Sequence, residues 1–247
     1  MLTVLGWLWQ SETCLAKYRI SHANLWAKMI HRHLDMPHRF VVLTDKPVST
    51  WNEFDPIIKP VQLWQDCRDM KIPTWPAKKP HCWVRLKAFG TEAKEIIGDR
   101  FVSIDLDCLV LGQLDPLFDR PEEFVIYKHP SMRHSNPYQG SMWMMTAGAR
   151  RQVWDDFRGE ESALEAAAAG FVGSDQAWIC RKLGPGEAIW GTQDGVYSWA
   201  AHVRADPALY ADRPPADARI IFFQGCEKAW DGFEKRPQFN WVAEAYQ

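Results

Sequence analysis

Two aspartates one residue apart, Asp105 and Asp107, interrupt an otherwise apolar run, Phe-Val-Ser-Ile-Asp-Leu-Asp-Cys-Leu-Val over 101–110. Charges set in such a run cost free energy to bury unless a counter-charge or ligand compensates them. Where a strand ends and the chain leaves its extended pleat, two such carboxylates can converge on one point. Hard divalent cations such as magnesium or manganese take oxygen ligands of this kind. A cation held there would act as a Lewis acid on phosphate oxygens. The bare tripeptide also suits a solvated turn; the apolar flanks, more than the acids themselves, favour a ligand-bearing role.

Other residues of chemical interest are spread along the chain. Ser174-Asp175-Gln176 precedes the apolar Ala177-Trp178-Ile179, which reads as a helix start with Ser174 or Asp175 satisfying free backbone donors. A helix start also presents amides to hydroxyls or developing negative charge, so capping and a role at a site are compatible. Asp45 stands before Lys46-Pro47, a place where aspartate commonly makes turns. Lys78, Lys79, Arg85 and Lys87 form a basic group ahead of the acidic motif, a pattern typical of a solvated face. Lys228 follows a glycine-containing turn, Gln224-Gly225-Cys226-Glu227.

The elements that must position these residues follow from hydrophobic periodicity. Leu2 to Trp9 has the length and composition of a buried strand, Leu25, Trp26, Met29, Ile30 and Leu34 recur at helical spacing, and Phe40 to Leu43 reads as a second strand. Strand, helix, strand is the unit of parallel sheets, because parallel neighbours need a crossover. Between Val48 and Pro80 prolines and tryptophans alternate with short apolar stretches such as Ile57-Ile58, a pattern of loops and at most one brief strand. A helical stretch from Trp83 to Gly98 leads into a strand at Phe101 to Ile104, which ends at the acidic pair. Ligands of open α/β sheets bind at the carboxyl ends of strands, which is where this places Asp105 and Asp107. Further strands are expected at Phe124 to Tyr127, Ser141 to Met145 and Arg219 to Phe223, and helices at Ala149 to Phe157 and Glu161 to Ala169.

The 247 residues suit one α/β domain, with a net charge of −2 and both signs interspersed. No global field attracts nucleic acid or anionic lipid, so nucleic acid is not expected as a partner. Fourteen tryptophans exceed ordinary usage; most should fill the core, and indole can also stack on a base or sugar. Six scattered cysteines show no structural zinc spacing and no dense disulfide framework. With no basic leader and no apolar run long enough to span a bilayer, the expectation is a soluble, cytoplasmic protein without a transmembrane segment.

At the acidic pair the sequence resembles the glycogenin-like and bacterial or phage-type GT-A glycosyltransferases, a group related to glycosyltransferase family 8. Their strand, Asp-x-Asp and apolar pair are followed by a Gly-x-Leu-Asp-x-Leu-Phe segment, matched by Gly112-Gln113-Leu114-Asp115-Pro116-Leu117-Phe118. The resemblance continues through the early strand, Lys17-Tyr18, Arg39 to Asp45, Ser174-Asp175-Gln176 and Gly225 to Trp230, in the same order. It implies a single Rossmann-like GT-A domain, with a mixed, mostly parallel central sheet flanked by helices. Residues 1–118 would bind the nucleotide, and residues 119–247 would face the acceptor.

The function so implied is transfer of a sugar from a nucleotide-sugar donor, of UDP type, to a sugar or other hydroxyl acceptor, with Mn2+ or Mg2+ at Asp105 and Asp107. Trp7, Tyr18 and Asp45 would lie near the nucleobase and ribose, with Lys87 and Gly225 as further donor contacts. Asp175 and Gln176 would lie at the transferred sugar, and Lys228 at the departing phosphate. Two departures stand out. Ala229 replaces the proline of the family's Gly-x-x-Lys-Pro-Trp ending. Gln224 stands where many bacterial relatives carry a metal-binding histidine, and Phe222 where the glycogenin-like ones do. Glutamine oxygen is a weaker ligand, so the third metal contact would come from Gln224 or water. His202 in Ser198-Trp199-Ala200-Ala201-His202 is similar to a segment of the bacterial relatives, and as a lone histidine is taken as structural.

Two other functions share some of these features. Sugar nucleotidyl transfer uses similar architecture and carboxylate-bound metal, but a Gly-rich basic loop after the first strand is missing at Leu5-Gly6-Trp7. A carbohydrate-binding or degenerate, non-catalytic protein would account for the tryptophans and leave the acids without a role. Donor and acceptor choice is expected to lie in loops 65–81 and 129–140.

Overall fold

The protein is described from a computed structural model covering residues 1–10, 18–72, 81–131, 135–225 and 227–247. Lys17, Lys78, Lys79 and Cys226 of the sequence analysis lie outside the described residues. Among the described residues the strands are β1 (Leu2–Leu8), β2 (His38–Thr44), β3 (Ile58–Gln62), β4 (Arg100–Ile104), β5 (Cys108–Val110), β6 (Phe124–Lys128), β7 (Tyr138–Thr146), β8 (Ala188–Trp190), β9 (Val196–Ser198) and β10 (Ile220–Phe222).

Seven of them form a sheet in the order β3-β2-β1-β4-β7-β6-β8. β3, β2, β1 and β4 are parallel, β7 is antiparallel to both β4 and β6, and β8 is parallel to β6. This is a mixed α/β sheet flanked by helices, as the sequence implies. The chain winds outward from β1 through β2 to β3 and then returns to the other side of β1 as β4. That reversal leaves a crevice beyond the carboxyl ends of β1 and β4, the usual ligand position in such sheets.

Both faces of the sheet are covered, and every residue of β1 is buried, as expected of a continuous apolar run in a parallel sheet. On one face the helix Ile20–Arg32 buries Ile20, Ala23, Trp26, Ala27, Met29 and Ile30. Trp26 crosses β1 at Gly6, where a Cβ would meet the indole Cη2 at 3.0 Å and Val42 Cγ2 at 3.2 Å. Glycine suits the close approach of the ring there, since a larger residue would press the indole back by a few tenths of an ångström. On the other face Trp143 stacks on Phe89 at 4.7 Å and meets the edge of Phe101 at 5.4 Å. Trp178 donates its indole N–H to the Val153 carbonyl at 2.8 Å. Trp26, Trp83, Trp143, Trp178, Trp190 and Trp199 are fully buried, so the tryptophan excess is largely a core feature.

The structure departs from the sequence expectations in three places. The stretch after Cys82 folds as 3-10 helices, Trp83–Phe89 and Thr91–Ala93, with only Lys94–Ile97 α-helical. The helix expected over Ala149 to Phe157 contracts to Gln152–Asp155. A second sheet, β5-β10-β9, was not anticipated, because three-residue strands carry too little periodicity to register. Among the described residues no helix is long and apolar enough to cross a membrane.

Replacing Trp143 by Ala removes a ring packed against two aromatic neighbours and is expected to destabilise the protein by about 3–5 kcal/mol. Urea unfolding followed by far-UV circular dichroism measures this, and a loss below about 1 kcal/mol would show that the face repacks freely.

Candidate active site

β4 ends at Ile104 and β5, in the small sheet, begins at Cys108, so the link Asp105-Leu106-Asp107 steps from one sheet to the other. The step is fixed at both ends. Asp105 N donates to the Ser141 carbonyl on β7 at 2.9 Å, and Phe223 N donates to the Asp107 carbonyl at 2.8 Å. Asp105 therefore stands at the carboxyl end of β4, in the crevice, and Asp107 against the end of β10. Two carboxylates two positions apart are held by two different sheets.

Each carboxylate meets a buried cation. Arg85 Nη1 lies 2.5 Å from Asp105 Oδ1, while its Nε and Nη2 reach Asp175 Oδ2 at 2.7 and 2.6 Å. Arg85 thus ties the strand-end acid to the first residue of the helix Asp175–Leu183. Gly140 on β7 makes room for this bridge, since a Cβ there would lie 2.9 Å from Arg85 Nη2 and 3.4 Å from Asp175 Oδ2. Asp107 Oδ2 accepts from Lys228 Nζ, both side chains being 7% exposed. Lys228 Nζ also donates to the Phe223 carbonyl at 3.1 Å and lies 5.9 Å from the Tyr18 ring centre.

The result is a line of three carboxyl groups and two cations, one acid in excess. Burial pushes the Asp105 carboxyl up to about 7, Arg85 pulls it down, and Asp107 and Asp175 add to the rise. Burial and then Asp107 push the Cys108 thiol well up, leaving it an inert neighbour. About a quarter of the Asp105 side chain remains exposed, 26% against 3% for Asp175, so this acid is the accessible edge of the cluster. The buried His81 has an Nδ1 without a hydrogen-bond partner, and burial lowers its pKa against the opposing pull of Asp175.

The remaining sequence candidates divide between the crevice and its surroundings. Asp45 follows β2 and accepts from Gln10 N at 3.1 Å, with Arg68 Nη2 at 3.3 Å. Trp7 is buried, its Nε1 donating to Ser103 Oγ on β4 at 2.8 Å and its ring edge-on to Trp64 at 5.7 Å. Tyr18 meets Trp230 edge-on at 5.7 Å. Gln176 Nε2 donates to the Val172 carbonyl at 3.2 Å. Gly225 has a φ of +91° with open space where a Cβ would be. Gln224 Oε1 accepts from Ser198 Oγ at 2.7 Å, while its buried Nε2 has no hydrogen-bond partner.

The basic group read as a solvated face splits in two. Arg85 is buried in the site, whereas Lys87 pairs with Asp66 at 2.6 Å. Ser174 takes the N-cap position without capping. Its hydroxyl accepts instead from Cys82 N at 2.9 Å and donates to Asp175 Oδ1 at 3.2 Å, fastening the helix start to the 3-10 helix that carries Arg85. Glu227, also missed, receives the Trp199 indole N–H, Arg204 at 3.1 Å and Arg236, which anchors the segment before Lys228. His202 Nδ1 accepts from Ser198 N at 3.0 Å, the structural role expected of it.

Magnesium in enzymes keeps several waters and is commonly held by one or two carboxylates together with substrate phosphates. Among the described residues no cluster of three or more His, Cys, Asp or Glu side chains is shaped to hold a metal ion, so a closed protein cage is not on offer. Asp105, with an exposed edge, and Asp107, buried against Lys228, are the carboxylate oxygens that a cation completing its shell with water and substrate phosphate could use.

No protein-family model matches the sequence, and no curated protein matches it. Solved structures do. An active-site mutant of LgtC superposes with a TM-score of 0.64 at 12% identity, covering 98% of this chain and 94% of that one. The fold is a GT-A-like glycosyltransferase fold. The galactosyltransferase LgtC in complex with donor and acceptor sugar analogues gives 0.61 at 16% identity, covering 99% and 95% of the two chains. The glycosyltransferase GlyE of Streptococcus pneumoniae TIGR4 gives 0.58 at 10% identity, covering 99% of this chain but 59% of GlyE. The likeness spans essentially the whole of this GT-A-like chain at identities that establish architecture alone.

Replacing Arg85 by Met leaves Asp175 buried without its counter-charge and is expected to cost about 3–5 kcal/mol in urea unfolding. Adding Asp175→Asn should recover part of that loss, because the two residues share one interaction. Strict additivity of the two changes would argue against the bridge.

Proposed function

We propose that the protein transfers a sugar from a nucleotide-sugar donor, of UDP type, to a hydroxyl acceptor. The observation that carries this reading is the position of Asp105 at the crevice of a GT-A-like sheet, with Asp107 beside it at the end of β10, backed by the buried Arg85–Asp175 bridge. Affiliation with the family 8-like group is part of the same proposal. It is supported by the Gly112 to Phe118 segment and the order of the other matching motifs.

In this reading Asp105 and Asp107, with Gln224 oxygen or water, would hold a magnesium or manganese ion. When bound, that ion supplies Lewis-acid stabilisation of the donor's diphosphate. The chain's own residues do the rest. Arg85 fixes the Asp105 carboxylate and the start of the helix Asp175–Leu183 in one frame, so the donor meets a preorganised site. Gln176 would offer hydrogen bonds to hydroxyls of the transferred sugar, and Asp175, buried and spent on Arg85 and Ser174, would act there by fixing the helix start that carries Gln176.

Lys228 offers its ammonium to the diphosphate as the bond between the anomeric carbon and the phosphate oxygen breaks and the acceptor hydroxyl takes its place. Tyr18 and Asp45 flank the region assigned to the nucleobase and ribose. Trp7, buried and spent on Ser103, would act there by supporting β1 and β4. Gly225 leaves backbone room beside the diphosphate, and Lys87, paired with Asp66, would join the donor site by leaving that partner.

Calorimetry with UDP, with and without manganese, tests the reading. Wild-type protein is expected to bind UDP more tightly with the metal, and Asp107→Asn to weaken metal-dependent binding on the order of a hundredfold, as losses of closely held ligand groups do. Absence of UDP affinity under both conditions would remove the donor assignment, and unchanged affinity in the variant would remove the metal site.

A further inference from the structure

We propose that Lys228 acts as a built-in counter-ion at Asp107 that a divalent metal must displace, so that metal and nucleotide bind as a coupled pair. The inference rests on the donor-site reading above and adds to it an interaction internal to this chain. Lys228 Nζ is directed at Asp107 Oδ2, accepts no exposure beyond a few per cent, and is held from a second side by the Phe223 carbonyl at 3.1 Å. The Tyr18 ring, 5.9 Å away, lines the same ammonium. One of the two motif carboxylates is thus already neutralised by protein, while Asp105 keeps an open edge.

Both cations cannot share Asp107 at low cost. A divalent ion spanning Asp105 and Asp107 would stand within a few ångströms of the ammonium, in surroundings where like charges repel strongly. Displaced alone, Lys228 would lose a buried partner and gain only water. A nucleoside diphosphate changes the balance, because its phosphate oxygens give the ammonium a new anionic partner at the moment the metal takes Asp107.

The long, flexible stem of lysine permits the move, while the Lys228 backbone stays fixed by its N–H bond to Asp231 Oδ2 at 2.7 Å and by the anchored Glu227. Coupling of this kind is reciprocal: nucleotide raises metal affinity by the factor by which metal raises nucleotide affinity.

Free manganese read by electron paramagnetic resonance tests this without any turnover. In wild-type protein, saturating UDP is expected to raise manganese affinity on the order of tenfold. Lys228→Met should bind manganese without UDP on the order of tenfold more tightly than wild type, and UDP should then add little. Lys228→Gln, which keeps a hydrogen-bond donor without the charge, should behave similarly and serves if the methionine variant does not fold.

Manganese affinity in either folded variant equal to or below that of wild type overturns the proposal while leaving the donor site standing, provided wild type still binds manganese with UDP. Wild type that binds UDP but never manganese, with UDP binding lost on substitution of Lys228, overturns the proposal together with the metal reading and makes Lys228 itself the phosphate counter-ion.

Discussion

The burial of Arg85 constrains everything around it. A guanidinium taken out of water is tolerable only with its donors satisfied, and here one fork reaches a strand-end carboxylate and a helix-start carboxylate at once. That requirement fixes the distance between β4 and the helix Asp175–Leu183, demands a glycine at 140, and explains why Ser174 turns to Cys82 instead of capping its own helix.

The large sheet was legible because its strands are long and apolar. β1, β2, β4, β6 and β7 all appear near their expected positions, and the α/β alternation follows from crossover geometry. The strand-end position of Asp105 followed from the same reading. The small sheet was not legible. Its strands are three residues long, and the pairing of β5 with β10 joins segments more than a hundred residues apart, which no local pattern reports.

Arg85 is the instructive miss. Its neighbours Trp83, Val84, Leu86, Ala88 and Phe89 are all buried, so it is a charge interrupting an apolar run, the same signal that singled out Asp105 and Asp107. Reading it with Lys78, Lys79 and Lys87 as one basic face hid that signal. A 3-10 helix puts residues three apart on one side, so Arg85 and Ala88 can face inward together while Lys87 turns to Asp66. Lys228 was singled out from the sequence, but its pairing with Asp107 was not, because the two residues lie far apart in the chain.

Charge balance links the two halves of the site. With Asp105 ionised, three carboxylates against two cations leave the cluster one charge negative, a state that repels an approaching diphosphate and attracts a cation. On the proposed reading, a bound divalent ion reverses the sign to one charge positive, and the diphosphate then meets an attractive site. The neutral Gln224 suits that arithmetic, since an additional carboxylate in its place would cancel the reversal. On that reading metal alone would have to expel Lys228 and nucleotide alone would have to face the negative cluster, so each lacks what the other supplies. The order of charges along Lys228, Asp107, Asp105, Arg85 and Asp175 would then be a physical reason for the two proposed ligands to arrive as a pair.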